Sequence, residues 1–244
     1  WLGRFIRGDM GVSLIDGEPV WTMLKEAIPR TLLLTASSLL VTVLLAVPLG
    51  IFTAVRQNRF SDCLIRFLSF LGNAMPSFLL SLLLLYLFAL RLRLLPVLAS
   101  GTLEGLLLPT LALAIPMSGR YIRQVRAAVL EQLGQRYVEG AVSRGVPARR
   151  VLLGSVLRNS MTTIITLLSL SAGSLLGGTA AVERIFSWRG MGYMVMDAIL
   201  TRDYPVIQAF MVWMTGLYVV INLLTDLAYP LFDPRARRGL GVRP

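Results

Sequence analysis

Three residue types are almost or wholly missing from this sequence, and each absence excludes a class of function. The chain has 244 residues, with no histidine, one cysteine and one lysine. Without histidine there is no imidazole metal site, no histidine general base and no HExxH metalloprotease motif. Cys63 alone forms neither an internal disulfide nor a multi-cysteine metal site, and we interpret it as structural. Lys25 lies in no GxxxxGK(S/T) phosphate loop. From these absences together, we predict no catalytic residue, metal or cofactor in this chain.

Charge is also scarce, because charged residues make up 15% of the chain and hydrophobic residues 55%. The apolar residues gather in five runs of more than 20 residues, at about 31–55, 67–90, 106–130, 161–182 and 206–232. Each run is long enough to cross the roughly 30 Å hydrocarbon layer as a helix. The sequence therefore predicts an all-α polytopic membrane protein, a transmembrane helical bundle with membrane lipid around it.

The few basic residues are distributed unevenly between the two sides of the predicted membrane. The connections after the first and third spans and the C-terminal tail carry fifteen arginines and four acidic residues. The opposite side carries nine basic and eight acidic residues. Because cytoplasmic loops are enriched in Lys and Arg, we expect the 120–158 region and the C-terminus in the cytoplasm and residues 1–30 outside. The excess charge follows from topology, and we predict no nucleic-acid partner.

The predicted spans divide the chain into an extracytoplasmic segment (1–30), a transmembrane domain (31–232) and a cytoplasmic tail (233–244). The transmembrane domain contains a long cytoplasmic loop at 128–158. An odd number of spans with an external start is unusual for a chain inserted from the cytoplasm without a cleaved signal. We therefore expect a further span upstream of Trp1.

Several residues inside the predicted spans are unusual for a membrane helix. Proline interrupts three of them, at Pro48, Pro76 and Pro116, where each is expected to kink the helix. Gly173 and Gly177 form a GxxxG pair that predicts close packing of the fourth span against another helix. Asn222 and Asp226 share one face of the last span. They are candidates for contact with a transported substrate, although a structural partner for Asp226 is the favoured interpretation.

The long cytoplasmic loop contains a pattern of small residues around an acid and a turn. Glu139 is followed by Gly140 and Ala141, and Gly145 stands six positions after the acid. Gly145 and the following Pro147 predict a turn between two short helices. This pattern resembles the EAA loop of ABC importer permeases, and the alternative interpretation is a solvated basic linker.

Other segments are similar to the dipeptide, oligopeptide and nickel branch of these permeases. The loop ends in Leu157, Arg158 and Asn159, as is usual in that branch. The further similar segments are residues 8–13, 183–192, 202–208 and 233–235. Arg189 departs from the branch, which usually has proline there. The resemblance covers nearly the whole chain and also implies a first span before Trp1.

The resemblance implies a permease of the type I, MetI-like kind that forms half of a transporter. It implies a second homologous permease, two cytoplasmic ABC ATPases that bind ATP and Mg, and an external solute-binding protein as partners. Glu139, Gly140, Ala141, Gly145, Arg158 and Asn159 would transmit movement of the ATPases to the permease. The cytoplasmic (inner) membrane is the implied location.

Peptides and nickel chelates are the expected substrates, with a slight lean to nickel. The lean comes from the short connection after the second span and from residues 135–138, which look more like nickel permeases. An ion-coupled secondary transporter is the alternative, but the sequence shows no internal repeat of the kind such transporters have. An intramembrane enzyme is weakened by the missing catalytic residues.

Overall fold

The computed structural model describes residues 2–5, 7–97 and 102–232, and most of these residues form helices. No strand occurs in the described ranges apart from an isolated antiparallel bridge between Val12 and Pro19. The helices in chain order are α1 (Leu2–Phe5), α2 (Val20–Val55), α3 (Phe60–Ala74), α4 (Ser77–Leu84), α5 (Leu103–Leu133), α6 (Arg136–Ser143), α7 (Ala148–Val151), α8 (Leu157–Gly178), α9 (Ala180–Ile185), α10 (Met191–Thr201) and α11 (Tyr204–Phe232). A π-helix extends α4 over Leu85–Arg91, and another joins α7 to α8 over Leu152–Val156. The predicted all-α class is confirmed.

Long apolar helices coincide with three of the five predicted spans, the first, third and fifth. Within the described residues, the segments Val20–Val55, Glu104–Leu133 and Tyr204–Leu224 are long and apolar enough to cross a membrane. At 1.5 Å per residue, α2 is about 54 Å long and exceeds the hydrocarbon layer. The first turns of α2, which begins at Val20, therefore lie in residues 1–30, which the sequence predicts to be the extracytoplasmic segment. α8 covers most of the fourth predicted span but ends at Gly178 rather than at 182.

The second predicted span is broken at Pro76. The sequence predicts one kinked helix over 67–90, whereas α3 and α4 with its π-helical extension meet at 99°. Proline has no N–H and excludes α conformation from the residue before it. Met75 accordingly adopts an extended conformation (φ −84°, ψ 123°), which ends α3 and lets α4 start in a new direction. Pro48 and Pro116, by contrast, lie inside the continuous helices α2 and α5.

The chain divides into two compact units. The first comprises Trp1–Leu40, Pro76–Ala114 and Ala172–Val220. Its apolar core is built from the segment before α2, the start of α2, α10 and the start of α11, and its buried members are Met10, Val20, Leu24, Ala27, Met191, Ala198, Val206 and Ala209. The indole rings of Trp21 and Trp213 stack beside this core with centroids 5.4 Å apart. In the same unit α4 contacts α9.

The second unit comprises Val41–Met75, Ile115–Ser171 and Ile221–Pro244. Its main core joins the end of α2 to α5, α6, α7 and the start of α8, through the buried residues Ala54, Val125, Val129, Val138, Val151, Val156 and Ile164. α3 and α5 approach closely here because Gly119 has no side chain. A Cβ at Gly119 would overlap the backbone oxygen of Ser69 and lie 2.9 Å from the backbone nitrogen of Asn73.

Candidate functional site

The chain between α5 and α8 forms a helix, a tight turn and a second short helix, called here the α6–α7 segment (residues 136–151). Gly145 ends α6 with a positive φ of 77°. Its N–H donates to the carbonyl oxygen of Val142 (2.9 Å), and the N–H of Val146 donates to that of Ala141 (3.1 Å). This pair of hydrogen bonds is the Schellman motif, which requires a left-handed residue at the position of Gly145. The turn is therefore fixed by the backbone.

The underside of the α6–α7 segment is buried. Val138 of α6 and Val151 of α7 belong to the same core cluster as Val125 and Val129 of α5. Ala141 and Val146, which the turn brings together, pack against this cluster as well. The hydrophobic contact across the turn is the usual companion of a Schellman motif. The segment is thus attached to α5 by packing on one face, and it presents its other face to the surroundings.

Four of the six coupling residues that the sequence singled out are exposed, two on the α6–α7 segment and two at the start of α8. Glu139 is exposed in the first turn of α6, while Gly140 and Ala141 are partly buried. A Cβ at Gly140 would have only an arginine side chain nearby, at 3.6 Å, so this part of the surface is open. Arg158 and Asn159 lie on the first turn of α8 and are exposed. No ion pair joins Glu139 to another residue within the described ranges.

Asp62 anchors α3 to α5 in the same unit, and sequence reasoning missed it. Its side chain is fully buried. Arg126 of α5 donates to both carboxylate oxygens, from Nε at 3.0 Å and from Nη2 at 2.9 Å. The backbone N–H of Asn58 donates to the same carboxylate at 2.9 Å, and Arg66 lies 3.2 Å away. The only hint in the sequence was the spacing of four residues between Asp62 and Arg66.

The candidate polar and small residues of the predicted spans differ in how closely other residues surround them. A Cβ at Gly173 would lie 2.5 Å from the ring of Tyr218, so α8 and α11 are in close contact there. Gly177 has open space in place of a side chain. Asn222 is partly buried on α11. The side chain of Asp226 and the tail residues 233–244 lie outside the described part of the chain, as do residues 98–101 in the connection before α5.

A second buried carboxylate, Glu183 on α9, organises the first unit in the connection after the fourth predicted span. It accepts hydrogen bonds from Oγ1 of Thr31 (2.8 Å) and from the backbone N–H of Tyr193 (3.0 Å). Burial raises the pKa of the Glu183 carboxyl, and these hydrogen bonds act in the opposite direction. Oγ1 of Thr31 in turn accepts from the N–H of Met191 at 2.7 Å. Sequence reasoning counted Glu183 as an outer-loop charge and as part of the similar segment 183–192, and it predicted none of these contacts.

The described residues contain no group of three or more Asp, Glu or Cys side chains placed to hold a metal ion. The α6–α7 segment combines a turn fixed by backbone hydrogen bonds, small residues and an exposed acid with a base packed against α5.

Comparison with known proteins identifies the family. The family described as the binding-protein-dependent transport system inner membrane component matches residues 46–238. The chain belongs to this family. The matched range includes the α6–α7 segment, the Asp62 contacts and Glu183, whereas Thr31, which donates to Glu183, precedes it. The permease is therefore an inner-membrane component of a transport system that works with a binding protein, as the resemblance implied.

Individual relatives cover most of the permease. It is 38% identical over 248 residues to a protein of Brucella ovis named as a peptide permease, an alignment that covers 97% of this chain and 78% of the relative. It is 36% identical over 241 residues to the nickel import system permease protein NikB of Staphylococcus aureus, with coverage of 99% and 72%. The expected relation to the peptide and nickel branch of ABC importer permeases is confirmed.

Solved structures confirm the fold. The permease superposes on the methionine ABC transporter MetNI in an inward-facing conformation with a TM-score of 0.71 and 15% identity, over 86% of this chain and 96% of that one. A crystal structure of an amino acid ABC transporter with histidines gives a TM-score of 0.64 at 14% identity, covering 85% and 93%. At these identities the likeness shows the MetI-like fold alone.

Proposed function

We propose that this chain is the permease subunit of an ATP-driven importer for peptides or nickel chelates, and that it transmits ATPase movement through the α6–α7 segment. The observation that carries the proposal is the geometry of this segment, a backbone-fixed turn with an exposed acid, partly buried small residues beside it and a base buried against α5. A second homologous permease, two cytoplasmic ABC ATPases and an extracytoplasmic binding protein complete the transporter. ATP and Mg bind in the ATPases.

Packing supports a coupling role for this segment. A docked partner that moves α6 also moves Val138, which is buried in the core that contains Val125 and Val129 of α5. Closely packed interiors transmit displacement because they do not deform continuously. Glu139, Gly140 and Ala141 lie near this base, and Gly145 keeps the segment rigid. Movement of the ATPases would thus reach a membrane-length helix through direct contacts.

Two substrate classes remain because the relatives belong to both. The names of similar proteins include peptide permeases and a nickel import permease. The slight lean to nickel from the loop sequence stays a prediction. A nickel chelate delivered by a binding protein needs no metal site in the permease itself, since its ligands come with it. Uptake of nickel–histidine and of dipeptides by the same reconstituted transporter decides between the classes.

The coupling role is tested by replacing Gly145 with valine. The substitution forces a β-branched residue into a left-handed conformation, which costs about 1–2 kcal/mol and favours other turn geometries. Space is not the obstacle, because nothing lies within 4 Å of a Cβ at this position. We expect ATP-driven uptake in proteoliposomes to fall about 5- to 30-fold, in line with that energy, while ATP hydrolysis continues.

Gly145→Asn is the matched control, because asparagine tolerates the left-handed conformation better than other residues with a side chain. It should retain most of the uptake activity. Normal uptake by Gly145→Val, with the transporter assembled, would contradict the coupling role of the turn.

A further inference from the structure

An open cavity lies in the first unit among residues that the sequence places outside the cytoplasm. Its volume is about 480 Å³. The segment before α2, the first turns of α2 and α10 form its walls, and Met23 and Met194 give it apolar surface. Small-molecule sites typically occupy about 300–1,000 Å³ and combine apolar walls with a few polar groups. The family assignment gives this cavity no role, and none of its lining residues belongs to the α6–α7 segment.

Charges of both signs line the cavity. The acidic members are Asp16, Glu18, Glu26, Asp197 and Asp203. Asp197 is paired with Arg184, which leaves four carboxylates facing two arginines, Arg30 and Arg189. These two arginines are neighbours, because Nη1 of Arg30 donates to the backbone oxygen of Arg189 at 3.2 Å. The cavity thus offers a predominantly acidic lining and a local guanidinium pair.

Asp203 distinguishes this cavity from an ordinary cluster of surface acids. It is 3% exposed and lies just before α11. One carboxylate oxygen, Oδ2, accepts a hydrogen bond from Oγ of Ser13. The other, Oδ1, is buried and has no hydrogen-bond partner among the described residues. Buried acceptors are nearly always satisfied in folded proteins, so a lone carboxylate oxygen on a residue that lines a cavity indicates a donor that arrives with a ligand.

We propose that this cavity binds a small zwitterionic peptide, with its ammonium group at Asp203 and its carboxylate at Arg30 and Arg189. An ammonium group carries three hydrogen-bond donors and no acceptor, which matches the free oxygen of Asp203. A guanidinium group matches a carboxylate in geometry and charge. The cavity is large enough for a dipeptide, and its lining residues belong to segments that the charge distribution predicts to be outside the cytoplasm.

This inference rests on the proposed importer function and narrows it to peptides. In a nickel chelate of an amino acid the amine nitrogen is bound to the metal, so no free ammonium remains for Asp203. A peptide keeps both of its terminal charges. The cavity therefore favours the substrate class opposite to the slight lean of the loop sequence.

The test is calorimetry of the purified transporter, permeases and ATPases together, without nucleotide or binding protein. Alanyl-alanine at millimolar concentration should bind, and N-acetyl-alanyl-alanine, which lacks the ammonium group, should bind about 10- to 100-fold more weakly. Asp203→Asn keeps an acceptor for Ser13 but removes the charge, and it should weaken alanyl-alanine binding by a similar factor. Glu104→Gln, which removes an exposed acid outside the cavity, should leave binding unchanged.

Three results would overturn the inference. The first is that alanyl-alanine fails to bind, and the second is that the acetylated peptide binds as tightly as alanyl-alanine. The third is that nickel–histidine binds and that its binding depends on Asp203 as strongly as peptide binding does. The comparison of the two peptides uses the unaltered protein, so a failure of Asp203→Asn to fold does not prevent a decision. If the transporter takes up substrate with ATP but no peptide binds at this cavity, the proposed binding site is refuted and the proposed importer function is not. Absence of ATP-dependent uptake of both peptide and nickel chelate refutes the proposed function.

Discussion

At the scale of single residues, Asp62 shows how one buried carboxylate holds two helices together. Removing a carboxylate from water is costly, and the cost is offset only when charge and hydrogen bonds surround it. Asp62 meets this condition through Arg126, Arg66 and the backbone of Asn58. The contributions differ, because the Arg126 side chain is 16% exposed and that of Arg66 is 41% exposed. The link between α3 and α5 therefore depends mainly on Arg126.

Asp62→Ala should destabilise the permease strongly. It leaves Arg126 largely buried without its counter-charge, a change that typically costs about 3–5 kcal/mol. Thermal unfolding of the detergent-solubilised protein, followed by loss of the monodisperse peak in size-exclusion chromatography, measures the effect. Arg66→Ala is the control and should cost about 0–1 kcal/mol, since its ion pair is exposed to solvent on one side. Equal losses for both variants would contradict this ranking.

Single residues were predictable where the backbone itself sets the requirement. Gly145 followed by Val146 and Pro147 predicts a turn from local conformation, and the structure has a left-handed residue there. Asp62 and Glu183 were not predictable, because burial of a carboxylate depends on partners 64 and 152 residues away in sequence. A single sequence carries no signal for such partners.

At the scale of helices, apolar length identified the membrane-length elements, but their ends and breaks depend on more. Pro76 predicted an interruption, and the direction of α4 follows from packing in the first unit, which the sequence does not specify. α9 and α10 were not predicted as separate helices, since they are too short to show a clear period beside an apolar span. α2 continues outward to Val20 because its first turns bury Val20 and Leu24 in a core.

Helix contact in the second unit leads to a prediction for Gly119. An added methyl group in Gly119→Ala would meet backbone atoms of Ser69 and Asn73, which cannot move aside without separating α3 from α5. We expect a loss of about 1–3 kcal/mol, as in overpacked cores, visible as a lower unfolding temperature and a lower yield of assembled transporter.

Gly72→Ala is the matched control for Gly119→Ala. It adds the same group on α3 of the same helix pair, where the nearest atoms belong to Ile115 at an ordinary 3.5 Å. Alanine also favours a helix more than glycine does. The helix contact would be less close than described if Gly119→Ala were as stable as Gly72→Ala.

At the scale of the whole molecule, the uneven distribution of arginine predicts how the permease is oriented. The side that carries the α6–α7 segment has fifteen basic and four acidic residues, whereas the other side is nearly balanced. The positive-inside rule converts this difference in charge into a predicted orientation and requires no knowledge of the fold. It predicts that the α6–α7 segment and the C-terminus lie in the cytoplasm.

Cysteine labelling tests this orientation. Cys63→Ser removes the only cysteine of the chain, so a cysteine introduced at Arg144 or at Leu14 is unique. Both positions are exposed. A membrane-impermeant maleimide added to intact spheroplasts should label the Leu14→Cys variant and leave Arg144→Cys unlabelled until the membrane is opened. The reverse pattern would invert the topology.

The contacts of Glu183 have a consequence for the order in which the permease is completed during synthesis. Thr31 and Glu183 are 152 residues apart in sequence. At about 5–20 residues per second, a ribosome needs roughly 8 to 30 seconds to make the carboxylate after the hydroxyl that donates to it. The outer end of α2 is therefore inserted early and reaches its final packing late. Chains released before residue 183 expose an unfinished helix, and quality-control proteases of the membrane should degrade them.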